Sequence, residues 1–388
     1  MSQHAGVGSA HRPLLLYITD AEGVGGAEGY LETLLRHADR ARYRVALALP
    51  PRAATRPLVA HAQALGVAVF PLDSVHRDGI DGRSLARALR LLRNLRPAIV
   101  HAVLNGPRRC AETLLAARLL RVPCRLATFQ LVTPIPQFAG LSGAVRALNR
   151  SMQFRMLHVG IAVSRGNARL LVEQYGFPAG NLAIIHNGVD LARFAPQADN
   201  GALRAAWHVP RGAVLIGVVG RLGSQKGQRV LLQALPAVWA RFPEVHVALV
   251  GTGALETELR TLAAQIDHGG RIHFAGQIER AHMPQALAAF DVFVLPSLYE
   301  GLPFAVVEAM AAARPIVATK VDGTVEAIHA GVDGVLVPPG DHGALAAALV
   351  RLLGDRALRM RLGEAARASA LARFDEAAML QATFALYL

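Results

Sequence analysis

The chain has 388 residues, a formal net charge of +13, 53% hydrophobic and 5% aromatic residues, and two cysteines. That length exceeds what one hydrophobic core usually spans, and Cys110 and Cys124 alone exclude a disulfide framework, so two domains in a reducing, cytoplasmic setting are expected. The start "MSQHAGVGSAHRP" has no apolar signal region and no run is long enough to cross a bilayer, which leaves a soluble or peripheral protein as the expectation.

From the N-terminus, "PLLLYIT" (13–19) predicts a buried strand, and "GVGGAEGY" (23–30) predicts a turn into a helix. Gly25 and Gly26 precede that helix as a loop facing an anion would, or as a tight turn only. The dinucleotide fingerprint G-x-G-x-x-G fails, because Glu28 stands where its last glycine is needed. "RVALALP", "VAVFPL", "AIVHAV", "CRLATF", "VGIAVS" and "LAIIHN" continue the strand pattern, alternating with helical stretches such as "SLARALRLLRNLR". Near-continuous apolar strands separated by helices imply a parallel sheet covered on both faces. "FAGLSGAVRALNRSMQFRMLH" (138–158) reads as a basic amphipathic helix, with Val145, Leu148, Met152 and Met156 along one side and Arg146, Arg150 and Arg155 beside them. It either touches anionic lipid or packs on the core with a solvated face.

Charge divides the chain as sharply as hydropathy does. Residues 1–198 hold 24 arginines and no lysine against 11 carboxylates, whereas the rest balances 17 basic against 17 acidic residues. The excess points to an anionic partner for the first half. An arginine-rich composition explains Arg over Lys but not the missing acids.

The loop-rich stretch "NGVDLARFAPQADNGALRAAWHVPRGA" places a boundary near residue 195. The pattern then restarts with "AVLIGVVG", "VHVALVG", "RIHFAG", "VFVLP", "PIVATK" and "GVLVPP". The expected domains are 1–195 and 196–375, both doubly wound, with a last helix over 376–388 that can pack back on the first. Two such domains open a cleft at the carboxyl ends of their strands, where ligands bind.

"GVVGRLGSQKGQ" (217–228) is not a P-loop, since Gln225 stands where glycine is needed. It delivers Arg221 and Lys226 from a strand end, either for a diphosphate or as surface charge. In "PSLYEGLPFAVVEAMAAARP" (296–315) a strand ends at Pro296 and a helix begins near Pro303, leaving the amides of Gly301, Leu302 and Phe304 free to donate. Glu308 follows Pro303 by roughly 7 to 8 Å along the axis. Glu300 and Glu308 are either solvated charges or acceptors for two sets of vicinal hydroxyls. A helix as apolar as "AVVEAMAAA" argues for the second, because an unpaired buried carboxylate is costly. The histidines are scattered, and no metal-ligand spacing appears.

"SLYEGLPFAVVEAMA" resembles the E-x7-E signature of retaining glycosyltransferases of family 4, which have the two-domain GT-B fold, with Glu300 and Glu308 as its glutamates. "GGAE", "IAVSRGN", "IHNGVD", "GRLGSQKG", "LVGTG", "FAGQI" and "GTVEAIHAGVDGVLVPPGD" extend the likeness over nearly the whole chain. The resemblance implies an α/β GT-B fold, two Rossmann-like domains facing across a cleft, with donor on the second and acceptor on the first. It implies that Arg221 and Lys226 hold the diphosphate and Glu308 the ribose. Glu300 and the amides around Gly301, Leu302, Pro303 and Phe304 would hold sugar hydroxyls, Gly25 and Gly26 would approach the phosphate, and Gln277 and Ile278 would lie by the base. One departure is Gln130 in "LATFQ", where many members have a histidine beside the sugar; His101, at the end of the preceding strand, is a substitute to test. Glutamine carries no proton at neutral pH.

The expectation is a metal-independent, cofactor-free, retaining hexosyltransferase-type enzyme. It would move sugar from a UDP- or GDP-linked donor to a glycan or glycolipid acceptor in cell-surface polysaccharide or lipopolysaccharide synthesis. It would be cytoplasmic, peripheral on the inner face of the plasma membrane through its basic half, and without a nucleic-acid partner. The competing readings are a non-catalytic nucleotide-sugar-binding subunit, motivated by Gln130, and a nicotinamide oxidoreductase, which lacks the glycine fingerprint.

Overall fold

The computed structural model of the chain describes residues 12–21, 25–72, 80–107, 109–135, 154–199 and 201–387. They form two compact units: residues up to Ile185 together with Leu380–Leu388, and His186–Met379.

In the N-terminal unit, seven parallel strands are β1 (Leu14–Thr19), β2 (Arg44–Leu49), β3 (Ala68–Pro71), β4 (Ile99–Leu104), β5 (Cys124–Phe129), β6 (Val159–Ala162) and β7 (Leu182–Ile184). Their order is β3-β2-β1-β4-β5-β6-β7. The six-residue runs of β1 and β4 are buried throughout, as strands with helices on both faces must be. Tyr17 of β1 is level with His101 of β4, and His101 with Leu126 of β5. Leu16, Ile18, Val100, Ala102 and Phe129 belong to the core beneath the helices, and Phe129 meets Phe154 and Phe177 edge to face.

The C-terminal unit repeats the plan with β8 (Leu215–Val219), β9 (His246–Val250), β10 (Ile272–Gly276), β11 (Val292–Leu295), β12 (Ile316–Thr319) and β13 (Val335–Val337). The order β10-β9-β8-β11-β12-β13 is again all parallel. Both sheets are therefore doubly wound, as the strand–helix alternation predicts. Strand order reverses between β1 and β4 in one unit and between β8 and β11 in the other, and ligands of such sheets bind outside the carboxyl ends at that reversal.

The boundary lies ten residues earlier than the loop composition suggests. Residues after Ile185 are pinned to the C-terminal unit: the Val189 amide donates to the Phe374 carbonyl at 2.9 Å, and the Asn187 side chain donates to the Leu302 carbonyl at 2.9 Å. The last helix, Glu376–Phe384, begins in that unit, and the residues from Leu380 onward belong to the N-terminal one. There the Thr383 hydroxyl is 3.4 Å from that of Tyr30, and Tyr387 Oη is 3.1 Å from Tyr17 Oη.

The predicted basic amphipathic helix lies mostly outside the described residues. Of its described tail, Phe154, Met156 and Leu157 are buried in the core and Arg155 is exposed. Among the described residues no helix is long and apolar enough to cross a membrane.

Candidate functional site

The carboxyl edge of the C-terminal sheet is where chemistry-bearing side chains gather. Strand β8 ends at Val219 and runs through Arg221 into a short turn, Ser224–Lys226, while β11 ends at Leu295 and runs into the loop 296–303. These are the two strands at the reversal. Gly227 caps the helix Gln228–Trp239 with φ +62°, and a Cβ there would overlap the Pro296 carbonyl oxygen, so only glycine lets the two loops meet. Two hydrogen bonds then join them: the Leu298 amide donates to the Gln225 carbonyl at 2.8 Å, and Gln225 Nε2 to the Tyr299 carbonyl at 3.1 Å.

The result is a contact between the two predicted residues Lys226 and Glu300. Lys226 Nζ donates to Glu300 Oε1 at 2.6 Å, and Ser297 Oγ donates to the same oxygen at 2.7 Å. Glu300 is 6% exposed and Ser297 fully buried. Ser297 is held in turn, since Thr319 Oγ1 donates to its carbonyl and Thr324 Oγ1 donates to the Thr319 carbonyl. One carboxylate oxygen is thus occupied by a cation and a hydroxyl, and Oε2 carries neither of these bonds. Lysine retains two further donors for an anion. Arg221 is exposed at the end of β8, its carbonyl held by Gln228 Nε2 at 2.9 Å.

The helix Phe304–Ala311 starts one residue later than predicted. Pro303 is its cap, not its first helical residue, and accepts from the Val306 and Val307 amides at 3.1 and 3.3 Å. No side chain caps this end, so the amide of Phe304 points out of the helix without an intrahelical acceptor. The turn before it is fixed from two sides. Asn187 grips the Leu302 carbonyl, and Gly323 packs so closely that a Cβ would overlap the Gly301 carbonyl oxygen. With the Leu302 carbonyl bonded to Asn187 and Gly323 packed against that of Gly301, the two residues keep a fixed course into the helix.

Glu308, the fifth residue of that helix, is 8% exposed. Its carboxylate accepts no hydrogen bond among the described residues. Burial pushes its pKa up, and the charges of Arg280 and Arg193 pull it partly back. Arg193 donates to the Arg280 carbonyl, which holds these two residues together. No hydrogen bond or ion pair joins Glu308 to Lys226 or Glu300 among the described residues. Gln277 and Ile278 follow β10, the edge strand, with β9 between it and β8.

Of the N-terminal candidates, Gly25 caps the helix Gly26–His37 in an extended conformation, and Gly26 is exposed. Gln130 is 8% exposed at the end of β5, its amide donating to the Leu104 carbonyl at 2.9 Å. His101 requires a correction. It is the third residue of β4, not the last, and is fully buried. Its Nδ1 lies 2.6 Å from Tyr387 Oη and its Nε2 2.8 Å from Thr128 Oγ1, while burial drives its pKa down to about 3. Both ring nitrogens are engaged inside the core, so it does not take the place of the histidine that the resemblance implies beside the sugar.

Sequence reasoning missed Ser297, Arg193 and Arg280. A serine after a strand end and two arginines 87 positions apart carry no spacing signal, and only the folded loops bring them to the glutamates. Among the described residues no group of three or more His, Cys, Asp or Glu side chains could hold a metal ion.

Comparison with known proteins matches both units. Residues 24–193 fit the family model described as Glycosyltransferase Family 4, and residues 213–355 that described as Glycosyl transferases group 1. A phosphatidyl-myo-inositol mannosyltransferase of Mycolicibacterium smegmatis is 38% identical over 213 residues, 54% of this chain and 51% of that protein. A UDP-Gal:alpha-D-GlcNAc-diphosphoundecaprenol alpha-1,3-galactosyltransferase of Escherichia coli is 27% identical over 290 residues, 72% of each chain. The chain spans about half the length of most of the curated relatives it matches, the galactosyltransferase being covered further. Among solved structures, Anabaena HepE in complex with UDP superposes with a TM-score of 0.78 at 22% identity, over 95% of this chain and 98% of that one. Sucrose-phosphate synthase of Thermosynechococcus elongatus gives 0.77 at 23% identity, over 97% and 98%. These likenesses show the fold, GT-B.

Proposed function

We infer that this chain, which belongs to the family 4 glycosyltransferases, moves a sugar from a nucleotide-diphosphate donor to a glycan or glycolipid acceptor. The observation that carries the reading is the shared Glu300 oxygen, held by Lys226 and Ser297 at the strand reversal of the C-terminal sheet. A buried carboxylate with one oxygen saturated and the other without those bonds is a fixed acceptor for a sugar hydroxyl. The ammonium beside it is a fixed donor for a phosphate. As the bond to the sugar breaks, negative charge grows on the diphosphate, and Lys226 and Arg221 meet it without reorganising. Those cations supply the stabilisation that a metal ion supplies elsewhere, so the reading requires none.

Glu308 supports the same assignment. A carboxylate that is nine-tenths buried and accepts no hydrogen bond among the described residues has lost most of its hydration, and the two hydroxyls of a ribose would replace those bonds. The amides around Gly301 to Phe304 are assigned to the sugar, Gln277 and Ile278 to the base, and the N-terminal unit to the acceptor. Retention of configuration is the outcome that the resemblance to retaining members implies. UDP, present in the solved HepE complex, is the first nucleotide to try. The acceptors in the names of the mannosyl- and galactosyltransferase relatives are lipid-linked, which favours a lipid-linked acceptor and a peripheral place at a membrane.

A thermal-shift and calorimetry screen of uridine, guanosine and adenosine diphosphates and their sugars tests the reading, followed by transfer assays with the binding donor. No binding and neither transfer nor donor hydrolysis would refute it. Gln130 favours a second reading, a subunit that binds donor without transferring it; donor binding with no turnover on any lipid-linked acceptor would decide for that one.

A further inference from the structure

The helix Gly82–Leu95, which leads into β4, carries arginines at 83, 87, 90 and 93 and no carboxylate, and Arg96 follows at its C-cap. Steps of four and three residues keep Arg83, Arg87 and Arg90 on one face, with Arg93 at its margin. The opposite face is anchored: Ala88 and Leu92 are buried in the core, and Leu85, Leu89, Leu91 and Leu95 pack against it. All five arginines are exposed, and Arg83, Arg90, Arg93 and Arg96 have no ion pair among the described residues. Asp81, just before the helix, is committed to the Ser84 amide at 2.7 Å as its cap. Ile80, 40% exposed, stands beside it.

We propose that this arginine row is the surface by which the protein lies on an anionic phospholipid bilayer. From Arg83 to Arg93 the row spans about 15 Å, long enough to meet several head groups at once. Each guanidinium fork can take two phosphate oxygens, and each charge gains from the negative surface potential within a Debye length. An arginine-rich composition does not account for the row, because it replaces lysine without removing Asp and Glu. In the C-terminal unit, which shares that composition, exposed Arg229 and Arg260 are paired with Glu258 and Glu256. Other exposed arginines there, such as Arg351 and Arg361, have no ion pair among the described residues, but no described helix of that unit carries several arginines without a carboxylate among them. The helix runs antiparallel to the strands it connects, so its first turn lies at the sheet's carboxyl edge. A bilayer against the row would bring that edge alongside the lipid surface. The proposal stands apart from the donor assignment, since vesicle binding needs no sugar.

Sedimentation with vesicles of phosphatidylglycerol mixed into phosphatidylcholine, at low salt, tests it. The expected result is retention of the full chain on these vesicles and not on pure phosphatidylcholine. Replacing Arg83, Arg90 and Arg93 together by Gln should weaken partitioning roughly a hundredfold, at about fivefold per charge. Replacing the same three by Lys should preserve most of it, which separates charge from misfolding. The control Arg36→Gln/Arg56→Gln/Arg121→Gln removes equal charge from other exposed positions of the same unit and should lose far less. Equal loss in both triple variants would reduce the effect to net charge and overturn the proposal. So would failure of the wild type to bind, equal binding to uncharged vesicles, or retention of a polynucleotide through these arginines with none of lipid.

Discussion

The two units share a parallel, doubly wound plan, and each buries an ionisable group that is treated differently. In the N-terminal sheet His101 is fully buried, and both its nitrogens have partners, Tyr387 and Thr128. In the C-terminal unit Glu308 is almost as buried and accepts no hydrogen bond among the described residues. His101 has both nitrogens bonded within the fold, whereas Glu308 and Oε2 of Glu300 keep acceptor capacity that a ligand can use. Charge balance divides the units the same way. Up to Ile185 there are 23 arginines against 10 carboxylates, whereas His186–Met379 carries 18 of each sign. The balanced unit makes its contacts within itself, as in Lys226–Glu300 and Arg271–Asp267. The unbalanced unit has fewer than half as many carboxylates as arginines to pair.

The strongest way to break this contrast is Glu300→Gln. Turnover should fall by about 10²- to 10³-fold, the scale of losing one preorganised transition-state contact, while nucleoside diphosphate affinity holds or rises. The rise would follow because the carboxylate no longer competes for Lys226. Wild-type kinetics would show the Lys226–Glu300–Ser297 cluster to be structural. Lys226→Ala should weaken donor binding by roughly 10- to 100-fold, as loss of a charge-assisted hydrogen bond does; unchanged donor affinity by calorimetry would remove it from the site.

His101 provides a pH test of the other unit. Its pKa falls from the ordinary 6.5 to about 3 on folding, so the unfolded chain binds more protons between those values. Its contribution is complete above pH 6.5 and is lost at about 1.4 kcal/mol per pH unit as pH falls towards 3. Denaturant titrations of the wild type and of His101→Gln should diverge less as the medium becomes more acidic; parallel curves would mean the ring is not buried neutral.

Glu308→Gln gives the smallest expected effect and has opposite signs for stability and binding. The raised pKa means that the folded protein loses stability as pH climbs from the ordinary carboxyl range through the folded value. At neutral pH the substitution should therefore leave the melting temperature unchanged or raise it by a few degrees, and weaken nucleotide binding about tenfold. A lower melting temperature would mean that the carboxylate is satisfied without ligand.

Much of this was legible in the residues. Alternating apolar runs gave both sheets, because a strand buried on two faces has no freedom to be polar. Lys226 and Glu300 could be named because each follows a strand end. Their contact could not, since it depends on Gly227 lying against Pro296. The boundary was misplaced because a loop-rich composition does not reveal which unit holds the loop. His101 was misread because alternation locates a strand more surely than its end. Ser297 gave no signal, as one hydroxyl beside a strand end resembles many others.

The last helix sets an order of events in synthesis. Tyr387 closes over His101 and Tyr17, yet it is made after every residue of the C-terminal unit. The domain that leaves the ribosome first is therefore completed only after the C-terminal unit has been made, and its central strands stay unsealed until then. A chain stopped after Met379 should melt at lower temperature in its N-terminal unit. Cleavage after Met379 would injure the unit built around β1 and β4.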